Sequence, residues 1–307
     1  MNGLDRLPPW ATTGVGSLPY RDADAAVAHV AAAYDVPFCP QLPRLEGDMI
    51  TEWLGADPGR CGWSPARDRE RPRAWDAFLA RMRLAPPAHG VVKLQATGPV
   101  TLACALERRT GSLSRREAFG LASELSAWLA ANLGAQVRAL TALELSVLLI
   151  VDEPALHVLG VDDVERVWDP LRTCAPSWGL HLCGPVPWDT VLRARPDVLS
   201  FDLAVNPVDA SAVRSLLASG GRIAWGVVQP HRPEHGLHAR ERLAEALAVV
   251  DADGSRSLIT PSCGSGRMSV AREAELATAV WDVARGPEGV QPSTAGSRKS
   301  RAAPPSR

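Results

Sequence analysis

The chain has 307 residues, 46% of them hydrophobic and 22% charged, with a formal net charge of -1. That balance excludes a general binder of nucleic acid or anionic membrane, which needs a basic surface. No apolar run is long enough to span a bilayer, the first residues show no basic segment followed by an apolar core, and six scattered cysteines make no disulfide framework. The expected setting is therefore the reducing cytoplasm.

Residues 1–11 read as a polar, Pro-rich N-terminal segment. Residues 12–19, Thr-Thr-Gly-Val-Gly-Ser-Leu-Pro, read as a short strand breaking into a Gly-Ser turn. An Ala-rich helix follows over 22–33, with Asp22 or Asp24 placed to cap it. Residues 36–43 are the next strand and loop, and 48–54 a helix. Residues 57–73, rich in Arg, Pro, Asp and Gly, read as a surface excursion, and 75–82 as a helix. A strand is expected over 91–95, then a helix opening at Gly98-Pro99, where proline suits the first turn. The longest helical pattern covers 114–141. Residues 146–151, Ser-Val-Leu-Leu-Ile-Val, are almost wholly apolar, as a parallel strand buried on both faces must be. Helices are then expected over 162–173, 188–194, 209–218, 237–250 and 269–285, alternating with strands over 180–183, 197–202, 222–228 and 258–264. Residues 286–307 form a Pro/Gly/Ser/Arg tail that is expected to be disordered.

Strand positions near residues 12, 36, 91, 146, 180, 198, 223 and 258, each followed by helical material, predict an α/β fold. Eight such units give a single (β/α)8 TIM barrel over 12–285. No Gly-x-Gly-x-x-Gly or P-loop pattern opens the first helix, which counts against a nucleotide-binding open sheet.

Barrel active sites form at the C-terminal strand ends. Those ends carry Gly16-Ser17, Lys93 and Gln95, Asp152-Glu153, His181 and Cys183, Asp202, Gln229-Pro230-His231, and Ser262-Cys263. Residues i and i+2 of a strand share a face, so His181 and Cys183 point into one space. Alone, a His-x-Cys strand end reads more readily as buried core, since free cysteine packs as a small hydrophobe. A barrel changes that, because it brings Asp202 and Cys263 to the same mouth. Two thiolates, an imidazole and a carboxylate are the number and types that tetrahedral Zn2+ takes, so His181, Cys183, Asp202 and Cys263 are the candidate metal ligands.

The chain resembles the cobalamin-independent methionine synthase family, in its C-terminal catalytic barrel, within the superfamily that includes uroporphyrinogen decarboxylase. The resemblance covers residue 12 to about residue 285. It rests on Thr-Thr-Gly-Val-Gly-Ser-Leu-Pro (12–19), Thr-Gly-Pro-Val-Thr (97–101), Val-Asp-Glu-Pro-Ala-Leu (151–156), His-Leu-Cys-Gly (181–184), Asp-Val-Leu-Ser-Phe-Asp (197–202), Gly-Val-Val-Gln-Pro-His (226–231) and Pro-Ser-Cys-Gly (261–264), in the family's order. It implies a zinc site at His181, Cys183, Asp202 and Cys263, although the family usually has Glu where Asp202 stands. It further implies that Asp152 holds the amino group of homocysteine, that Ser17 helps bind its carboxylate, and that Glu46 is a second amino-binding acid. His231 matches the family's proton donor to the departing methyl carrier. The implied activity is methyl transfer to the homocysteine thiol, giving methionine, like 5-methyltetrahydropteroyltriglutamate–homocysteine methyltransferase. The family's folate-using enzymes carry an additional N-terminal barrel. Without one, the implied donor is either a methyl-folate or a corrinoid protein.

The chemistry is coherent with those residues. A free thiol near pKa ~8.5 is mostly protonated at neutral pH, and zinc deprotonates it. The thiolate then attacks an electrophilic methyl. Alternatives are zinc-dependent alkyl transfer to another small thiol such as coenzyme M, which has no use for Asp152 and Ser17, a metal-free decarboxylase or lyase, and a non-catalytic zinc-binding paralogue.

Overall fold

The computed structural model describes residues 3–55, 72–110, 114–159, 163–232, 236–250 and 254–285. The tail expected over 286–307, and the surface excursion apart from residues 72 and 73, lie outside them. After a 3-10 turn over Gly3–Arg6, the elements in chain order are β1 (Ala11–Thr12), α1 (Ala23–Ala33), α2 (Pro43–Glu46), α3 (Met49–Leu54), α4 (Trp75–Leu84), β2 (Val91–Thr97), α5 (Pro99–Thr110), α6 (Arg115–Thr141) and β3 (Ser146–Asp152). They continue with α7 (Leu156–Leu159), a 3-10 turn over Val164–Trp168, α8 (Asp169–Cys174), β4 (Ser177–Leu182), α9 (Trp188–Ala194), β5 (Val198–Asp202), α10 (Ala210–Ala218), β6 (Arg222–Val228), α11 (Gly236–Val250), β7 (Ser257–Pro261) and α12 (Val270–Arg285).

The helix starts follow local chemistry. The Asp48 carboxylate accepts from the N–H groups of Ile50 and Thr51 at the head of α3. Ser114 and Glu117 form a reciprocal capping box on α6, and Asp209 caps α10 through the Ser211 and Ala212 amides. One expected helix, over 162–173, is broken: the 3-10 turn and α8 meet at Asp169-Pro170, where proline lacks the N–H that a continuous helix would need.

All strands pair in parallel, in the order β1-β7-β6-β5-β4-β3-β2. Every residue of β2, β4, β5, β6 and β7 is buried, the signature of strands covered on both faces. Inside the curl, Val91, Leu148, Ile150, Val198, Ala224 and Leu258 pack together, and Leu4 and Leu7 of the entry segment join them. Crowding there leaves no room for a side chain at position 179. A Cβ on Gly179 would lie 2.3 Å from the Val198 carbonyl oxygen.

Among the described residues the sheet has seven strands, and the eighth that was expected is not among them. The segment expected as a strand over 36–43 makes only isolated bridges, Phe38 with Lys93 and Ser17 with Gln41. Pro37, Pro40 and Pro43 have no amide hydrogen, so this stretch cannot carry a continuous ladder. It nonetheless lies against both edges of the sheet. The Val36 N–H donates to the Thr12 carbonyl and the Gln41 N–H to that of Gly16, while the Cys39 N–H donates to the Lys93 carbonyl and the Lys93 N–H to that of Pro37. A curled parallel sheet whose edges share one irregular segment is compatible with a TIM-like barrel.

Candidate active site

Strand pairing places the polar groups. Asp152, His181, Ser200, Ala224 and Leu258 are successive register partners across β3, β4, β5, β6 and β7. Register partners in a parallel sheet face the same way, so Asp152 and His181 share the inner face, above the apolar layer of Leu148, Ile150 and Val198. A cleft of about 320 Å³ opens over them. It is bordered by Ser17, Asp152, His181, Cys183, Cys263 and Arg267, with Gln41, Asp48, Met49 and Glu52 on the side of α3.

Asp152 is 6% exposed. Gln95 Nε2 donates to both of its carboxylate oxygens, at 2.8 and 2.7 Å. Gln95 Oε1 in turn accepts from Lys93 Nζ (2.7 Å) and from the Gly16 N–H (2.9 Å). Lys93 Nζ also donates to the Gly14 carbonyl. Burial raises the Asp152 pKa and lowers that of Lys93. Each opposes the other's shift by attraction. Neither Lys93 nor Gln95 was singled out as functional from the sequence, which only placed them at a strand end.

The adjacent Glu153 faces the other way and is built into the scaffold. Its carboxylate accepts from the N–H groups of Val100 (3.1 Å) and Thr101 (2.8 Å), the Thr101 hydroxyl (2.7 Å) and Trp168 Nε1 (2.9 Å). It thereby caps the head of α5, where free amides favour an anion.

His181 is 3% exposed. Its Nδ1 lies 2.9 Å from the Ser200 hydroxyl, and Nε2 is buried with no hydrogen-bond partner. Burial, with the nearby Lys93 charge, pushes the imidazole pKa down to about 3, so the ring is neutral. With Nδ1–H donating to Ser200, Nε2 presents a bare lone pair, the state a metal ligand requires. Cys183 is half-buried just past β4, and Cys263 is exposed just past β7. The Cys183 thiol donates to the Cys263 sulfur, which raises the pKa of Cys183 and lowers that of Cys263.

Asp202 is near enough to Cys263 to raise its pKa, but its carboxylate is engaged elsewhere. It accepts from the Ala204 N–H (2.8 Å), the Val205 N–H and the Ser262 hydroxyl, and it does not border the cleft. Among the described residues, no three His, Cys, Asp or Glu side chains are grouped closely enough to hold one ion. The donor set still fits zinc in kind: a neutral histidine with an orphaned nitrogen and two cysteine sulfurs in mutual contact, all on one cleft.

Ser17 borders the cleft beneath the loop after β7, whose Ser265 N–H donates to the Ser17 carbonyl at 3.0 Å. Gly264 is required for that contact, since a Cβ there would sit 2.1 Å from Ser17 Oγ. His231 is exposed in the turn after β6 and does not border the cleft. Glu46 ends α2, and its side chain lies outside the described residues.

No family model and no curated protein sequence matches the chain. Its fold is similar to that of a B12-independent methionine synthase from Shewanella, solved in complex with selenomethionine. The TM-score is 0.54 at 14% identity, covering 71% of this chain and 67% of that one. It is also similar to a methyltransferase from Methanosarcina mazei, with a TM-score of 0.54 at 16% identity, covering 91% of this chain and 96% of that one. At these identities the likeness is one of fold.

Proposed function

We propose that the chain is a zinc-dependent methyltransferase that methylates the thiol of homocysteine to give methionine. The observation that carries this reading is that the unpartnered His181 Nε2 and the Cys183–Cys263 sulfur pair line one cleft, which Asp152 and Ser17 also border. The two proteins of similar fold, a methionine synthase and a methyltransferase, agree with it.

His181, Cys183 and Cys263 would hold the metal. Zinc, when bound, supplies a thiolate at neutral pH from a thiol that is otherwise mostly protonated. Asp202, engaged by the Ala204 and Val205 amides, secures the loop after β5 in this reading rather than ligating. The Asp152 carboxylate receives the substrate ammonium at the floor of the cleft, and Ser17 Oγ donates to the substrate carboxylate. Anchoring both ends of the amino acid fixes its sulfur relative to the incoming methyl, and such orientation contributes several kcal/mol in general. His231, exposed in the turn after β6, would meet the methyl carrier rather than the amino acid, and it would protonate an amine leaving group such as that of reduced folate. A corrinoid protein is the other donor consistent with the chain, and its departing reduced cobalt needs no proton.

The test is methionine formation by the zinc-loaded chain from homocysteine, with methyl-folate and methylcobalamin offered in parallel. We expect product with one donor, and its loss together with loss of bound zinc in His181→Ala and Cys263→Ser. A chain that binds no zinc overturns the reading. Zinc binding with methylation of coenzyme M but not of homocysteine would assign the same chemistry to another thiol.

A further inference from the structure

We infer that Gln95 is a positioning residue that aims the Asp152 carboxylate at the substrate amino group, and that Lys93 fixes which way the Gln95 amide faces. The inference rests on the proposed amino-acid thiol reading and names the residues that give the site its amino-group selectivity.

Donors and acceptors around Gln95 decide which way its amide faces. An amide side chain has an acceptor end and a donor end that differ only by a half-turn. Gln95 has two donors on one side, Lys93 Nζ and the Gly16 N–H, at 2.7 and 2.9 Å. A backbone N–H can only donate, so the amide oxygen must face Gly16, and Lys93 Nζ donates to the same oxygen. The –NH2 end is thereby committed to Asp152. From there one nitrogen reaches both carboxylate oxygens, at 2.8 and 2.7 Å, which pins the carboxylate in plane as well as in place. Each oxygen keeps acceptor capacity toward the cleft that Asp152 borders.

The same amide joins the two ends of the substrate site. Gly16 precedes Ser17, so Gln95 Oε1 holds the turn that presents the serine while Gln95 Nε2 holds the aspartate. A Cβ at Gly16 would lie 2.4 Å from Gln41 Oε1 and 3.1 Å from Gln95 Cδ, so a side chain there would displace Gln41 and press on the amide that holds Asp152. Lys93 is itself held by the Gly14 carbonyl and lies 4.8 Å from the centroid of the Phe38 ring, so it is a fixed reference for the amide. Lys93, Gln95 and Asp152 sit on the strand pair β2–β3, a rigid element, which suits a site that must hold its geometry.

The experiment compares two thiols, homocysteine and 4-mercaptobutyrate, which lacks only the amino group, by calorimetric titration of the zinc-loaded chain. Wild type is expected to prefer homocysteine. Gln95→Met removes both ends of the amide and is expected to cut that preference roughly tenfold or more, because a hydrogen bond to a charged group is lost. Binding of 4-mercaptobutyrate falls less, by the amount that losing the Gly16 contact loosens Ser17 toward the carboxylate of either thiol. Gln95→Glu keeps an acceptor for Gly16 and Lys93, which guards the fold, but sets an oxygen where the N–H faced Asp152. It should lose the same preference. Asp152→Asn should abolish the preference, and the double variant with Gln95→Met should lose no more. Equal weakening of both thiols by the Gln95 variants, or a preference they leave intact, overturns the inference while the functional reading stands. Equal binding of the two thiols by wild type overturns both.

Discussion

Cys183 and Cys263 divide one hydrogen bond unequally: the half-buried thiol donates and the exposed sulfur accepts. The acceptor is thus the better thiolate and the better nucleophile. Cys104 and Cys174 differ in kind, for burial pushes each up to about 11. Alkylation of the metal-free chain with iodoacetamide near neutral pH, mapped by mass spectrometry, is therefore expected to mark Cys263 first and leave Cys104 and Cys174 unmodified. Zinc should protect Cys263, and Cys183→Ala should slow its reaction by removing the donated hydrogen bond. Uniform labelling of Cys104, Cys174, Cys183 and Cys263 would contradict this ordering. The pairing of His181 with Cys183 was legible in the sequence because strand alternation puts i and i+2 on one face. The role of Gln95 was not, since it reaches Asp152 diagonally across β2 and β3 and depends on a register that no local pattern encodes. The engagement of Asp202 was hidden for a similar reason: its partners Ala204 and Val205 become donors only once the chain turns after β5.

At the scale of elements, strands with continuous apolar runs were readable, and 146–151 gave β3 to within a residue. Helix starts were readable where an Asp or Ser cap precedes them. The 36–43 segment misled because its apolar side chains do pack like those of a strand, with Phe38 and Leu42 fully buried, while its prolines deny it the ladder. The neighbouring residues Asp152 and Glu153 also divide their labour by strand parity, one facing the cleft and the other α5. A Cβ at Gly98 would come 2.1 Å from the Glu153 carboxyl carbon, so helix, glycine and acid form one fitted joint. Glu153→Ala strands two amides, a hydroxyl and an indole N–H in a buried place and is expected to cost about 2–4 kcal/mol. The readout is the urea midpoint, with the thiol preference of any folded protein retained. An unchanged midpoint would take Glu153 out of this joint.

Across the whole molecule, the structural question is what holds the irregular segment that stands between β1 and β2. Part of the answer comes from the last helix. Glu273 on α12 is 1% exposed, and its Oε1 accepts from the Tyr34 hydroxyl at 2.9 Å and lies 3.0 Å from His29 Nε2. Trp281 Nε1 of the same helix donates to the Ala33 carbonyl at the end of α1. Tyr34 packs on Phe38 with ring centroids 5.6 Å apart, and Phe38 carries Lys93 over its ring. The line from α12 through Tyr34 and Phe38 thus ends at the lysine that orients Gln95. Tyr34→Phe leaves the ring stack intact and removes one hydrogen bond to a buried carboxylate, for an expected loss of about 1.5–3 kcal/mol. Glu273→Gln keeps an acceptor and should cost less. If the two side chains act as one contact, the double variant in a urea series loses less than the two single losses added together. Additive losses would mean that Tyr34 and Glu273 stabilise α1 and α12 separately, and that the last helix does not brace the segment beside the site.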